Sequence, residues 1–391
     1  MAAARRRRCA SGPLRAAAAA LLLTGGPAAA PGPARADGDL PRPLGFDALP
    51  GWAEDRLSEA LPALLASCRA VPAGPGRGRE TGPSDEAAGS SWRAACAEAA
   101  ALADATGADR GGAREAGLRA LLERRFRPFA LGTGLLTGYY EPLLRGALAP
   151  GGPFRTPLRA PPPGLAPDGP RLPDRAAIED GALDGLALPL LWVDDPADAF
   201  FLHIQGSGRV ALPGGTVLRL GYAGRNGHPY RAIGRVLVER GALAREAVSM
   251  QAIRAWLAAA APAEAAALLR DNPSYVFFRL LPDLTADQGP VGTLGVPLAP
   301  LRSLAVDPAH LPLGAPVWIA ARDPVDGAPL RRLVLAQDTG GAIRGPARGD
   351  LFWGWGEDAA LRAGRMQDRG AAVFVLLPRP APSAGRAGRL D

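Results

Sequence analysis

The spacing of apolar positions changes from helical to alternating along this chain. Residues 52–128 are alanine-rich, and Leu57, Leu61, Leu64, Leu65 and Cys68 recur at intervals that share one helical face. Trp92, Cys96 and Ala99 repeat that spacing. Residues 112–127 predict a third helix, with Leu118, Leu121 and Leu122 on one face. Residues 72–89 between the first two are Pro/Gly-rich and read as a solvated connection of an antiparallel helix pair. From residue 133 the texture becomes β, and residues 134–141 read as a strand running into Tyr139 and Tyr140. Residues 150–170 read as a loop. Residues 200–204 alternate, with Phe200, Leu202 and Ile204 to one side and Phe201, His203 and Gln205 to the other, which predicts a strand. Gln205-Gly206-Ser207-Gly208 would turn it into a second strand over 209–212.

Further along, residues 230–240 predict a helix ended by Gly241, and 245–270 hold one or two more, interrupted at Pro262. Strands are expected at 275–280, 315–320, 333–336 and 371–377, with a short helix at 357–363 closed by Gly364. The tail after Pro378 has the composition of a disordered segment.

Composition bounds the class. A chain of 391 residues holds two domains, and Gly 50 with Pro 41 favours short strands and turns over a helical bundle. Residues 1–36 read as an export signal: Arg5 to Arg8 and Arg15 at the basic end, a short apolar run over 14–24, and Ala34-Arg35-Ala36 for cleavage. That segment carries six arginines and no acid, so its removal takes the net charge from +7 to +1. A nucleic-acid partner is therefore not expected. The sequence contains no lysine, which excludes Schiff-base chemistry and the P-loop. His203, His228 and His310 lack metal-ligand spacing, so zinc is not expected. After export Cys68 and Cys96 remain, an even pair that reads as a disulfide, with two buried free thiols as the alternative.

The most chemically suggestive stretch is Gln337-Asp338-Thr339-Gly340-Gly341-Ala342-Ile343-Arg344-Gly345, followed by Asp350-Leu351-Phe352-Trp353-Gly354. An acid beside aromatic rings suits glycoside cleavage, in which a carboxylic acid protonates the leaving oxygen and flat surfaces hold sugar rings. A Gly-rich hairpin whose aspartates only cap turns is the plain alternative.

This block resembles the three-aspartate domain of MltA-type lytic murein transglycosylases. Leu304-Ala305-Val306-Asp307-Pro308 resembles the segment with that domain's first aspartate. Leu136-Thr137-Gly138-Tyr139-Tyr140-Glu141-Pro142, Phe201-Leu202-His203-Ile204-Gln205-Gly206-Ser207-Gly208 and Asn272-Pro273-Ser274-Tyr275-Val276-Phe277-Phe278 resemble the other half of the same family. Together the blocks reach from about residue 130 to 378, in the family's order. The resemblance implies a mainly β fold: a double-psi β-barrel built from N- and C-terminal segments, with a second β-barrel inserted and N-terminal helices. It implies a signal at 1–36, helices and the first part of the double-psi barrel over 37–143, the insert over 144–271, the second part over 272–378 and a tail at 379–391.

The resemblance also implies a murein lytic transglycosylase in which Asp350 is the catalytic acid, Asp338 supports it, and no metal or cofactor takes part. Asp307, before Pro308, reads as a turn-fixing residue. Thr137, Tyr139, Tyr140, Gln205, Ser207 and Trp353 are candidate glycan contacts, and Phe352 with Trp353 a candidate apolar wall for the acid. Gln205 equally fits a strand-end polar residue, the tyrosines a core position. Ser207 lies in Gln-Gly-Ser-Gly, not in a nucleophile elbow. Glu141 is the alternative acid, and Asp194-Asp195 reads as a solvated turn. The expected partners are peptidoglycan glycan strands, with other cell-wall enzymes as candidates, and the protein is expected to be a monomer. Many members of the family are outer-membrane lipoproteins. Cys9 follows four arginines rather than an apolar run, so no lipidation site is recognised and a soluble periplasmic form is expected, with outer-membrane association as the alternative. The rivals are a hydrolytic muramidase, which needs a second carboxylate, and an expansin-like wall-binding protein without catalysis.

Overall fold

The helical spacing at the start of the chain is realised as α1 (Leu61–Ala70), α2 (Pro83–Ala105) and α3 (Ala113–Arg125). The computed structural model describes residues 42–72, 74, 83–105, 112–166 and 169–379. The expected export signal and the tail from residue 380 lie outside the described residues. Helix α2 begins at Pro83, whose missing N–H costs nothing in a first helical turn, so the 72–89 connection is shorter than its composition suggests. Leu64, Trp92, Leu118 and Leu122 pack against Trp318, Leu333, Leu335 and Phe374 of the barrel behind them. Asp55 is buried against the same wall, where it accepts from Arg302 Nη1 at 2.7 Å and Nη2 at 2.9 Å and from the Leu333 amide at 2.8 Å.

Cys68 of α1 and Cys96 of α2 form a disulfide, with Cα atoms 5.7 Å apart across 28 positions of sequence. Closing a loop of that size removes unfolded-state entropy worth about 3–4 kcal/mol. Reduction is expected to lower the midpoint of thermal unfolding accordingly, read by circular dichroism with and without reductant. An unchanged midpoint would mean that α1 and α2 need no covalent tie.

The barrel runs β1-β11-β8-β10-β9-β12 and closes through β12 to β1. Its strands are β1 (Phe126–Glu141), β8 (Ser303–Val306), β9 (Pro316–Arg322), β10 (Pro329–Thr339), β11 (Gly349–Trp355) and β12 (Gln367–Pro378). Two pairs are parallel, β1 with β11 and β8 with β10, and the rest antiparallel. This is the double-psi arrangement, with one strand from before the insertion and five from after it. Alternation fixes which side chains face inward: Val317, Ile319, Val334, Ala336, Val373 and Val375 fill the interior.

The inserted residues form a second sheet of β3 (Thr156–Arg159), β4 (Pro189–Val193), β2 (Leu143–Ala147), β5 (Gly208–Ala211), β6 (Val217–Arg225) and β7 (Val276–Leu280), in that order. It is a six-stranded sheet ending on β3 and β7, whereas a second barrel was expected, and β7 carries it past residue 271. Helix α4 (Arg175–Glu179) precedes β4. Helices α6 (Ile233–Glu239), α7 (Met250–Ala259) and α8 (Pro262–Arg270) join β6 to β7, and α9 (Glu357–Arg365) joins β11 to β12.

One expected strand is a helix. Residues 200–204 lie in α5 (Pro196–Gln205), which links β4 to β5. Its signals are capping residues: Asp195 Oδ1 accepts from the Ala197 amide at 2.8 Å, Pro196 opens the helix, and Gly206 ends it in the left-handed region at φ 77. Asp195 is thus a helix cap rather than a solvated turn. Phe200, Phe201 and Ile204 join the core shared with the barrel, while Ala199 and Leu202 face the second sheet. Residues 199–205 of this helix are all buried, so no solvent-facing side sets a helical period, and the alternation over five residues was coincidental.

Candidate active site

Strand β8 lies between β10 and β11, and both neighbours place an aspartate opposite the same residue. Asp338 of β10 and Asp350 of β11 are each in register with Ala305. Register slips by one residue between Ala336 and Asp338, a bulge that leaves Gln337 unpaired with β8. The Gln337 side chain is anchored on the far side: its amide donates to Ala63 O at 2.8 Å and Ser67 Oγ at 2.9 Å, and its Oε1 accepts from Ser303 Oγ at 2.6 Å. Helix α1 thereby holds the bulge that presents Asp338 to the opposite face.

The two carboxylates differ in how fully they are used. Asp338 Oδ1 accepts from the Thr293 amide and hydroxyl, both at 2.9 Å, and Oδ2 accepts from Tyr139 Oη at 3.1 Å. Asp350 is in parallel register with Thr137, whose hydroxyl donates to Asp350 Oδ1 at 2.6 Å. Arg348 donates from Nη2 to the same hydroxyl at 2.9 Å. Asp350 Oδ2 is buried and has no hydrogen-bond partner among the described residues.

Burial pushes the Asp350 carboxyl up to about 6; the Arg348 charge and the Thr137 hydrogen bond oppose this, and the Asp338 charge adds to it. Burial also pushes Asp338 up to about 6, against hydrogen bonds from Thr293, Thr339 and Tyr139. The Tyr139 hydroxyl is driven well above its ordinary value by burial and by both aspartates, so it stays a donor. Equal shifts do not distinguish the two carboxyls. Their hydrogen bonds do, because only Asp350 keeps an oxygen uncommitted.

Thr137 and Tyr139 also line a cavity of about 250 Å3 between β1, α7 and α9, together with Tyr140, Gln205, Met250 and Arg365. Gln205 Oε1 accepts from the Tyr140 amide at 3.2 Å, so α5 fixes the strand at the cavity wall. Gln205 ends a helix and does not share a strand face with His203. His203 instead accepts through Nδ1 from Arg175 Nη2 at 3.0 Å, between the rings of Tyr275 and Phe278. Burial first, then the Arg175 charge, hold this imidazole well below its ordinary value, so it is neutral.

Trp353 belongs to the barrel core: its indole N–H points to Met366 Sδ at 3.2 Å, and its ring passes under Gly138. A Cβ at Gly138 would meet that ring at 2.5 Å, so glycine there permits the close approach. Phe352 packs with Tyr139, Leu298 and Ala305, an apolar wall beside Asp350. Ser207 is buried just beyond the end of α5, outside the cavity lining. Asp307 caps a turn, accepting from the Ala309 and Gly345 amides at 3.2 and 2.8 Å.

Glu141 is wholly enclosed. Arg209 Nε donates to its Oε2 at 2.8 Å, and Arg219 Nη2 to its Oε1 and Oε2 at 2.9 and 3.0 Å. Burial raises this carboxyl, and the two guanidiniums oppose that rise. Both arginines also donate to the Gln288 carbonyl, tying the end of β1, the second sheet and the return connection together. Glu141 is a structural anchor, not an available acid. Sequence reasoning missed Arg348 and Thr293; the triplet Arg348-Gly349-Asp350 and the Gly-flanked Val291-Gly292-Thr293 were the only signals for them.

Residues 135–279 match the MltA specific insert domain, and residues 302–376 match the 3D domain. Membrane-bound lytic murein transglycosylase A of Vibrio cholerae is 38% identical over 246 residues, which cover 61% of this chain and 64% of that protein. The chain thus matches less than two thirds of the length of that curated relative. A crystal structure of a membrane-bound lytic murein transglycosylase from Agrobacterium tumefaciens is 34% identical and covers 86% of this chain and 97% of that one, with a TM-score of 0.72. The lytic transglycosylase LtgG of Burkholderia pseudomallei is 41% identical, covering 93% and 99%, with a TM-score of 0.59. With both domains in order and the two solved structures matched nearly end to end, the chain belongs to the MltA family of lytic transglycosylases.

Proposed function

We propose that this chain is an exported murein lytic transglycosylase that cleaves the β-1,4 bond between N-acetylmuramic acid and N-acetylglucosamine. The observation that carries the mechanism is the asymmetry of Asp350, one oxygen bound by Thr137 and the other unpartnered. The raised carboxyl carries a proton on Oδ2 and gives it to the glycosidic oxygen as the C1–O bond breaks. The carboxylate left behind takes the proton from the C6 hydroxyl of the same muramic residue. That oxygen bonds to C1 and leaves a 1,6-anhydro end, with the proton back on Asp350. The internal hydroxyl is held in the same ring and outcompetes water at high effective concentration. Asp350 is fully buried, so glycan entry requires the groups covering Oδ2 to move aside.

A hydrolytic muramidase would need a second carboxylate to activate water. Asp338 has both oxygens engaged and Glu141 is clasped by two arginines, which favours the transglycosylase. A wall-binding protein without catalysis would have no use for a buried, proton-bearing Asp350. Tyr139, Tyr140 and Gln205 serve as glycan contacts, with the Gln205 amide nitrogen available to an acetamido carbonyl. Residues 144–271 form the wall facing the barrel across the glycan. The export-signal composition of residues 1–36 supports a periplasmic enzyme, where its substrate lies. Among the described residues no helix is long and apolar enough to cross a membrane.

The test is the pH dependence of soluble muropeptide release from purified sacculi. Asp350 must start protonated, so kcat/KM is expected to fall as pH rises through about 6. Asp338→Asn removes a neighbouring negative charge and should move that alkaline limb to lower pH, with a smaller loss at the optimum. A profile flat from pH 5 to pH 8, at roughly the range where only unperturbed carboxylates are already ionised, would sink the acid assignment.

A further inference from the structure

A carboxylic acid hydrogen-bonded to a hydroxyl can be polarised in two ways. The hydroxyl donates to the carboxyl, leaving the acid proton on the other oxygen, or the acid donates to the hydroxyl and its proton is sequestered. Only the first is useful to Asp350, because Thr137 occupies Oδ1 at 2.6 Å and Oδ2 is the oxygen left for substrate. An arginine settles such a choice, since a guanidinium has donors and no acceptor.

We propose that Arg348 is a positioning residue for the acid: by donating to the Thr137 hydroxyl it makes that hydroxyl a donor to Asp350 Oδ1 and keeps the acidic proton on Oδ2. The inference rests on the reading of Asp350 as the acid. Arg348 is itself fixed, with Nη1 donating to the carbonyls of Leu135 (3.2 Å) and Gly349 and Nη2 2.9 Å from Thr137 Oγ1. Nη2 takes a lone pair of the hydroxyl, and its charge turns the hydroxyl proton toward the carboxyl. The same charge holds Asp350 lower than burial alone would leave it. The other ionisable groups around Asp350 are Asp338 of β10 and Tyr139 of β1, while β8 contributes the uncharged Ala305.

Steady-state cleavage of soluble glycan strands by the full chain tests this. Arg348→Met is expected to lower kcat by about 10- to 100-fold, part of what general acid catalysis contributes, with KM little changed. Its alkaline limb should move to higher pH, since an opposing positive charge is lost. Thr137→Val should lower kcat by a similar factor, Thr137→Ser, which keeps the hydroxyl, should lose clearly less than Thr137→Val, and the Arg348→Met/Thr137→Val double variant should be no slower than either single. Additive losses, or an unmoved alkaline limb, would show Arg348 to be merely structural. If Arg348→Met does not fold, Arg348→Lys and the Thr137 pair carry the same test; wild-type kcat in Thr137→Val overturns the relay. Asp350→Asn separates the two levels. Full activity in that variant sinks the acid assignment itself, whereas an inactive Asp350→Asn beside a fully active Arg348→Met sinks the relay alone.

Discussion

Asp350→Asn is expected to lower glycan cleavage by about 1,000-fold or more while glycan binding persists, because the amide keeps the shape of the side chain and cannot deliver a proton. The same variant should be more stable than the wild type in mildly alkaline solution. Asp350 has its folded-state pKa raised from 3.8 to about 6, so the native state holds a proton that the unfolded chain releases. Stability from such a group is fully present below the unfolded value and is lost as pH rises through the folded one. Above about pH 6 the native state therefore carries a buried charge, a cost on the order of 2–3 kcal/mol for a shift of this size. Urea unfolding at pH 8 and at pH 4 should show the Asn variant gaining on the wild type only at the higher value. An equal gain at both would mean that the carboxyl is ionised in the fold throughout, and that burial does not supply the acid. Activity and stability would thus trade against each other at one residue.

Glu141→Gln is the second large effect, and it falls on folding instead of chemistry. The amide leaves Arg209 and Arg219 buried without a counter-charge, their side chains 10% and 6% exposed. Breaking a buried ion pair from one side costs about 3–5 kcal/mol. The urea midpoint should drop accordingly, and the loss should loosen the second sheet from the barrel, since both arginines also hold the Gln288 carbonyl. A Glu141→Gln protein that unfolds like the wild type but no longer cleaves would instead make Glu141 the acid.

Much of this was legible in the sequence, and the failures have physical causes. Strands β1, β5, β7, β9, β10 and β12 followed from apolar runs bounded by Gly and Pro, whereas β3 lies within residues 150–170, which read as a loop. The aspartates of the glycine-rich block stood out because acids seldom follow a buried strand such as Leu333-Val334-Leu335-Ala336. What brings them together did not stand out. Residues twelve apart in sequence meet across Ala305, through a strand that pairs in parallel with one and antiparallel with the other. No local pattern encodes that crossing. Helix α5 was misread because a segment buried on all sides has no polar face, although its Asp195-Pro196 start and Gly206 end were in plain view. Trp353 looked like a sugar platform and is core, since an aromatic on a barrel strand has two faces to choose from and Gly138 made room on the inner one. Arg348 went unnoticed among the 45 arginines and lysines of the chain, all of them arginine, because only the fold brings Thr137 beside it.

Asp350 is proposed to act as a single acid that works without water. The direct measurement is the mass of the muropeptides released from purified sacculi by the wild-type enzyme. Glycan ends lighter than hydrolysed ends by one water are expected, as a 1,6-anhydro ring requires. Ordinary reducing ends would contradict it and make the enzyme a hydrolase.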